Sequence, residues 1–313
     1  MSPGARESRE QSLAEVRRGT AAEPHHGRVR RGLAWVRRKV YRYVPSLIPS
    51  ENFSRSLNFF LYHTRFGGPA EVVPPPAAER VVVLAPHADD ETIGCGGVLS
   101  RYADAGAETA VIVVTDGRRG DPDIYRSGLD DRQQREAEDR LVQRRKEEAA
   151  RAAEILGVKT LIFLDQPDAC VRPTASAVAR LRGELERLDP QVLLLPFLID
   201  KHPDHLETNG LFLRAAASLW PNEAGPICWA YETWTPLHAN RTVDIREVAD
   251  RKWRALGQYE SQIRHIDFLS TTKGLNAYRW GAMFGNSGYA EAFFGCTLSE
   301  YRALWKAMTG ETI

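Results

Sequence analysis

Residues 80–91 read Arg80-Val81-Val82-Val83-Leu84-Ala85-Pro86-His87-Ala88-Asp89-Asp90-Glu91. The first six are an apolar, β-branched run without polar alternation, as a strand buried on both faces requires. Pro86 ends the run, and an imidazole and three carboxylates follow within five residues. Short apolar runs recur at Thr109–Thr115, Thr160–Leu164 and Gln191–Pro196, and Ile227–Tyr231 is a fifth candidate strand. Helical patterns lie between them. They cover Gly94–Ala107, Asp131–Leu156 with Gly157 as its stop, Thr174–Leu188 with Thr174 as its cap, and about Leu206–Trp220. Strands without alternation, separated by helices, predict a mostly parallel sheet covered on both faces. The expected fold class is α/β, a Rossmann-like three-layer α/β/α sandwich. The C-terminal third is less regular, apart from a helical pattern over Ile245–Tyr259.

Composition sets the outer limits. Of 313 residues, 43% are apolar or aromatic and 27% charged, with a net charge of +1. A chain near that length buries about three quarters of its unfolded surface, so a large core is available. The charge balance gives no global signature for nucleic acid, and none is expected as a partner. No stretch approaches the length of a membrane-spanning helix, and no apolar block of signal-peptide length opens the sequence. The four cysteines are scattered, with no CxxC pair. They predict reduced thiols in a cytoplasmic protein, and any metal site must use histidine and carboxylate.

Residues 1–79 read as a basic N-terminal arm and proline-rich linker, and 80–313 as one domain. The first 50 residues carry 11 basic against 4 acidic side chains, while the remainder carries 31 against 37. Leu33, Val36, Val40 and Tyr43 recur at helical spacing within the basic run. That pattern suits either a solvated arm or a short amphipathic helix making peripheral contact with an anionic membrane surface. Residues 70–79, with Pro74-Pro75-Pro76, read as the linker.

In open α/β sheets, ligands bind beyond the carboxyl ends of the strands. The first run is followed by His87-Ala88-Asp89-Asp90, and the fourth by Asp200-Lys201-His202-Pro203-Asp204-His205. If these strands lie near one another, the two loops meet. Imidazole and carboxylate together are the usual ligands of catalytic zinc, which takes three protein ligands and keeps a position open. One of two adjacent aspartates can ligate while its neighbour takes a proton from water. Of the second loop's histidines, one can complete the metal site. The other can stabilise an oxyanion or protonate a leaving group, with Asp204 between them as a ring partner. No G-x-S-x-G elbow is present, and Gly94-Cys95-Gly96-Gly97 begins too far from the strand end for a dinucleotide fingerprint. Those glycines are expected to let a helix pack close to the sheet.

Residues 84–92, with Gly94, Gly96 and Gly97 behind them, resemble the AHPDDE signature of the PIG-L/LmbE-like N-deacetylases. His202-Pro203-Asp204-His205 resembles the family's second signature, HPDH. Arg145, Glu148, Ala152 and Leu156-Gly157-Val158 are similar to its long helix, and Lys252, Ala255, Leu256, Tyr259, Ser261 and Gln262 to its K-x-x-A-L-x-x-Y-x-S-Q pattern. The resemblance covers about residues 80–295. It implies a zinc-dependent hydrolase that removes an N-acetyl group from an amino-sugar conjugate such as an N-acetylglucosamine derivative. It also implies His87, Asp90 and His205 as metal ligands and Asp89 as general base. His202 would then polarise the carbonyl or stabilise the oxyanion, tuned by Asp204, with Arg145 and Asp168 as substrate contacts. Two positions depart from the pattern. Ala88 stands where proline is usual, and Ile199-Asp200-Lys201 where glycines often precede HPDH.

The metal's N/O donor set also suits Fe²⁺. An amidase on a thiol or other small-molecule conjugate stays open, as does a non-catalytic sugar-binding protein on the same fold. The basic arm suggests an anionic or lipid-linked substrate. Arg118 and Arg119 read either as a solvated loop or as contacts to a phosphate or carboxylate. Tyr231, at the end of the fifth run, and Trp234, just after it, are candidates to stack on a sugar ring. Deleting residues 1–50 tests the arm: loss of binding to anionic vesicles identifies a membrane-facing helix, and unchanged binding leaves a solvated arm.

Overall fold

A computed structural model of the chain describes residues 70–221 and 225–313. The basic arm, its apolar stripe and His25-His26 lie outside the described residues. Eight strands form one sheet: β1 (Glu71–Val72), β2 (Arg80–Ala85), β3 (Glu108–Thr115), β4 (Thr160–Gln166), β5 (Val192–Pro196), β6 (Ile227–Tyr231), β7 (Arg241–Asp244) and β8 (Ala290–Cys296). Their order is β1-β7-β8-β6-β5-β2-β3-β4. All neighbours pair in parallel except β8, which is antiparallel to β6 and β7. The segment read as a linker thus contributes β1, which pairs with β7, and Pro76, whose carbonyl accepts a bond from the Tyr102 hydroxyl.

The apolar strands split their side chains between two cores. Val82, Leu84, Ile112, Leu193 and Leu195 face one way. They pack against α4 (Ala175–Leu188), α5 (Pro203–Leu219) and α9 (Leu298–Thr309). Val81, Val83, Val111, Val113 and Leu194 face the other way. They meet α1 (Asp90–Asp104), α3 (Asp131–Leu156) and α6 (Ala249–Leu256). Alternate residues enter opposite cores because strand side chains have period two. The result is the three-layer sandwich. The remaining helices are α2 (Pro122–Arg126), α7 (Glu260–Ile263) and α8 (Phe268–Phe284).

Local chemistry explains the boundaries that sequence predicts well. Helix α3 opens with a capping box, in which Asp130 accepts from the Gln133 amide and Gln133 from the Asp130 amide. It ends at Gly157 in the left-handed conformation, φ 80°. The Thr174 hydroxyl caps α4 by accepting from Ala177 N.

Helix α1 differs from expectation. It starts at Asp90 rather than Gly94, so the signature acids sit on its first turn, and it is kinked at Cys95. A Cβ on Gly94 would lie 2.2 Å from Cδ2 of Tyr231, and one on Gly97 2.6 Å from Cγ2 of Ile245. The glycines therefore permit the close packing expected of them.

The arrangement that positions the site is the pairing of β5 beside β2, with Val81, Val82 and Val83 opposite Val192, Leu193 and Leu194. The chain leaves β2 toward β3 on one side, and leaves β5 toward β6 on the other. The crevice between diverging connections is where open α/β sheets bind ligands. Gly94→Ala is expected to destabilise the fold by roughly 1–3 kcal/mol through overpacking, despite alanine's better helix propensity. The Tyr231 ring cannot retreat, because it is fully buried and its hydroxyl donates to the Leu84 carbonyl at 2.7 Å. Urea unfolding measures the loss.

Candidate metal and catalytic site

His87 lies in the turn after β2, and Asp90 is the first residue of α1. His205 is in the first turn of α5, three residues beyond His202, which caps that helix. One oxygen joins the two loops: Asp90 Oδ2 lies 3.2 Å from His87 Nδ1 and 3.2 Å from His205 Nε2. The outer nitrogens of both rings are already committed. His87 Nε2 faces Asp168 Oδ1 at 3.2 Å and Asp204 Oδ2 at 3.3 Å. His205 Nδ1 faces Thr233 Oγ1 at 3.2 Å, and the Thr233 hydroxyl in turn donates to Asp200 at 2.7 Å. With the ring protons held outward, His87 Nδ1 and His205 Nε2 both aim lone pairs at a carboxylate oxygen. His205 Nε2 is buried without a hydrogen-bond partner.

Two imidazole nitrogens each 3.2 Å from one carboxylate oxygen need a positive charge between them. Zinc–nitrogen bonds of about 2.0–2.1 Å put tetrahedral ligands roughly 3.3–3.4 Å apart, so these two separations suit a zinc-sized ion. His202 also lies within reach, since one nitrogen from each of the three imidazoles falls within 4.8 Å of the others. The electrostatics agree. Burial opposes charge on His87, but its bonds to Asp168, Asp204 and Asp90 hold its pKa well above the usual value. Burial also opposes ionisation of Asp90, which His205 and His87 nevertheless keep well below the carboxylate range.

Asp89 stands apart. It occupies the cap position of α1 with φ 136°, makes no side-chain capping bond, and lines the cavity beside the histidines. A non-glycine residue in that region costs roughly 1–3 kcal/mol and persists only where its surroundings hold it. Here the Glu91 carboxylate accepts the Asp89 N–H at 3.1 Å, and Arg145 Nη2 donates to the Ala88 carbonyl at 2.9 Å. The same Arg145 nitrogen is 3.7 Å from Asp89 Oδ2. Burial raises the Asp89 pKa strongly, with Arg145 pulling the other way.

His202 faces the same cavity. Its Nδ1 accepts the Asp204 amide at 3.3 Å, so a neutral ring carries its proton on Nε2. Burial and the neighbouring His87 and His205 lower its pKa, which favours that neutral form.

The cavity measures about 290 Å³ and is also lined by Ile93, Arg119, Arg145, Asp168, Gln262 and Phe268. Two expected placements change. Asp204 is the ring partner of His87 rather than of His202, because its carboxylate is turned toward the Ala169 and Val171 amides, at 2.8 and 3.2 Å. Asp168 lines the cavity as expected of a substrate contact, yet it also holds the His87 ring. Tyr231 is core and cannot stack on a ligand; Trp234 lines the cavity and is 41% exposed.

Comparison with known proteins fits this geometry. Residues 82–216 match the family model described as PIG-L, GlcNAc-PI de-N-acetylase. A diacetylchitobiose deacetylase of Thermococcus kodakarensis is 30% identical over 201 residues, which cover 59% of this chain and 70% of that protein. The chain belongs to the PIG-L family. A 4-oxalmesaconate hydratase of Pseudomonas putida is 28% identical, over 57% of this chain and 72% of its own length. Among solved structures, the N,N'-diacetylchitobiose deacetylase of Pyrococcus horikoshii aligns with a TM-score of 0.61 at 23% identity. That alignment covers 73% of this chain and 87% of that one, and it bears out the fold.

In this PIG-L family member, the downstream K-x-x-A-L-x-x-Y-x-S-Q residues brace the site from behind. The Tyr259 hydroxyl donates to Glu91, the residue that holds Asp89. Ser261 donates through its amide and hydroxyl to the Glu148 carboxylate on α3, at 2.8 and 2.6 Å. Lys252 Nζ, wholly buried, donates to the Ile93 carbonyl, to Asn276 and to Glu291. Glu291 also accepts the Gly97 and Val98 amides at 2.7 and 2.8 Å, and so caps α1 beyond its kink. Sequence reasoning missed Glu291 and Asp200, and an acid within an apolar strand was the available signal for Glu291. Glu291→Gln is expected to cost about 3–5 kcal/mol, because it strands the buried Lys252 charge. Lys252→Met with Glu291→Leu is expected to restore much of that stability, as read by urea unfolding.

Proposed function

We propose that this protein is a zinc-dependent N-deacetylase that cleaves the N-acetyl group of an amino-sugar conjugate. The observation that carries the reading is Asp90 Oδ2 between His87 Nδ1 and His205 Nε2, with the strained, uncapped Asp89 beside it. The deacetylase relatives, one of them acting by name on diacetylchitobiose, support the amino-sugar substrate. His87, Asp90 and His205 would hold the ion. When bound, zinc, or Fe²⁺ in the same donor set, supplies Lewis acidity that makes water a nucleophile near neutral pH and polarises an amide carbonyl.

The chain's own residues do the rest. Asp89 accepts the proton of the attacking water as the carbon–oxygen bond forms. His202 donates its Nε2 hydrogen to the oxygen on which negative charge grows. The carbon–nitrogen bond then breaks, and the proton held by Asp89 passes to the departing amine. Acetate and a free amino sugar result. Asp168 and Asp204 keep the His87 proton outward, which leaves Nδ1 free to ligate. Arg145 holds the Ala88 carbonyl and so the position of Asp89.

Asp89→Asn is expected to retain metal and to lose about 10²–10⁴ in turnover. His205→Ala is expected to lose the metal itself. Metal analysis and acetate release from N-acetylglucosamine derivatives check both, and near-normal turnover in Asp89→Asn removes it as the base. The hydratase relative favours a second reading, addition of water to a carbon–carbon double bond by the same groups. Hydration of an unsaturated dicarboxylic acid without acetate release from any N-acetyl sugar would select it.

A further inference from the structure

We infer that Arg119 makes the site selective for amino sugars bearing an oxyanion, a phosphate or carboxylate, on the side facing the loop after β3; this rests on the deacetylase reading. Residues 116–120 leave β3 as a pinned turn. Arg118 N donates to Asp116 Oδ1 at 3.2 Å, and Gly120 N to the Gly117 carbonyl at 3.1 Å. Arg119 N donates to Asp168 Oδ2 at 2.9 Å, which ties this residue to the acid that holds the His87 ring. Gly120 lets the turn lie close to both side chains, since a Cβ there would lie 2.2 Å from Arg145 Nη1 and 3.0 Å from the Gln262 amide.

The turn carries two arginines with different fates. Arg118 is consumed by the protein, with Nε 2.7 Å from Asp116 Oδ2 and Nη1 3.5 Å from Glu138. Arg119 lines the cavity, and its guanidinium makes no ion pair with any acid among the described residues. Nearby carboxylates are already engaged: Asp121 by Arg264 and His265, and Asp168 by His87 and the Arg119 amide. The other arginine of the cavity, Arg145, is buried; its Nη1 and Nη2 donate to the Gly117 and Ala88 carbonyls, and its Nε has no partner among the described residues. Arg119 is the exposed arginine of the cavity and is unpaired among the described residues, and its planar fork suits phosphate or carboxylate.

The opposite side of the mouth has another character. Trp234, in the loop after β6, packs edge-on against Phe268 at 5.5 Å, and both rings line the cavity. In the strand order, the imidazole–aspartate cluster beyond β2 and β5 lies between the β3 loop and the β6 loop. A sugar whose acetamide reaches Asp89 thus has an apolar wall on one flank and an unpaired guanidinium on the other. This asymmetry selects a substrate with an anion on one side of the ring.

The test is calorimetric binding of four amines to the metal-loaded enzyme: glucosamine, glucosamine 1-phosphate, glucosamine 6-phosphate and muramic acid. At low salt, at least one anionic amine is expected to bind on the order of tenfold more tightly than glucosamine. The preference is expected to shrink as salt is raised, to vanish in Arg119→Ala and to return in part in Arg119→Lys. The phosphate and carboxylate arms identify which anion is meant. Equal binding of all four amines, or a preference that survives in Arg119→Ala, overturns the inference. Acetate release from N-acetylglucosamine 1-phosphate, N-acetylglucosamine 6-phosphate and N-acetylmuramic acid is measured separately. Its absence from all three beside an Arg119-dependent preference would remove the deacetylase reading and leave Arg119 only as an anion-binding residue of the cavity.

Discussion

A single carboxylate oxygen in contact with two imidazoles is the constraint around which the rest of the molecule is arranged. Asp90 Oδ2 touches a ring from the β2 turn and a ring from helix α5, and both rings are backed by acids. Imidazoles ringed by buried carboxylates demand a cation at the centre, whether protons or a metal ion. Unpaired buried charge is among the most costly features a fold can carry. The topology makes the contact possible. Only the pairing of β5 against β2, with connections leaving in opposite directions, brings turns more than a hundred residues apart to one crevice.

The reactive face is strained and the supporting face is saturated with bonds. Asp89 holds an unfavourable backbone conformation and forgoes the capping bond that aspartate usually makes. Behind it, Tyr259 holds Glu91, Glu91 holds the Asp89 amide, and Arg145 holds the neighbouring carbonyl. Lys252 and Glu291 stitch both halves of the kinked α1 to α6 and β8. A densely bonded network is rigid, and rigidity keeps the Asp89 carboxylate directed at the cavity.

Much of this was legible from residue order. Fully apolar runs marked β2, β3, β5 and β6, because a central parallel strand has no solvent side on which to place polar residues. Helix α3 is bounded correctly, with Gly157 read as its stop, a signal that acts within one turn. The start of α1 is misread because the polar residues His87–Glu91 read as one loop after the strand, whereas the helix begins at Asp90 behind a cap residue in a conformation no local rule predicts. Strands β7 and β8 went unread. Their pairing is antiparallel and non-local, and β8 carries the buried acid Glu291 within an otherwise apolar run. Arg118 and Arg119 are indistinguishable as neighbours in sequence, and only their different partners separate them.

Sequence alone determined the layered α/β architecture and the two histidine–aspartate loops, since periodicity and motif spacing are properties of short segments. Tertiary structure decided which ring each acid serves. Asp204 and Asp168 meet at His87 because the turns after β4 and β5 both fold over the end of β2, a contact between segments far apart in the chain. Local rules state what a side chain can bond. Which partner it finds depends on packing across the whole sheet, and that is written in no single stretch of residues.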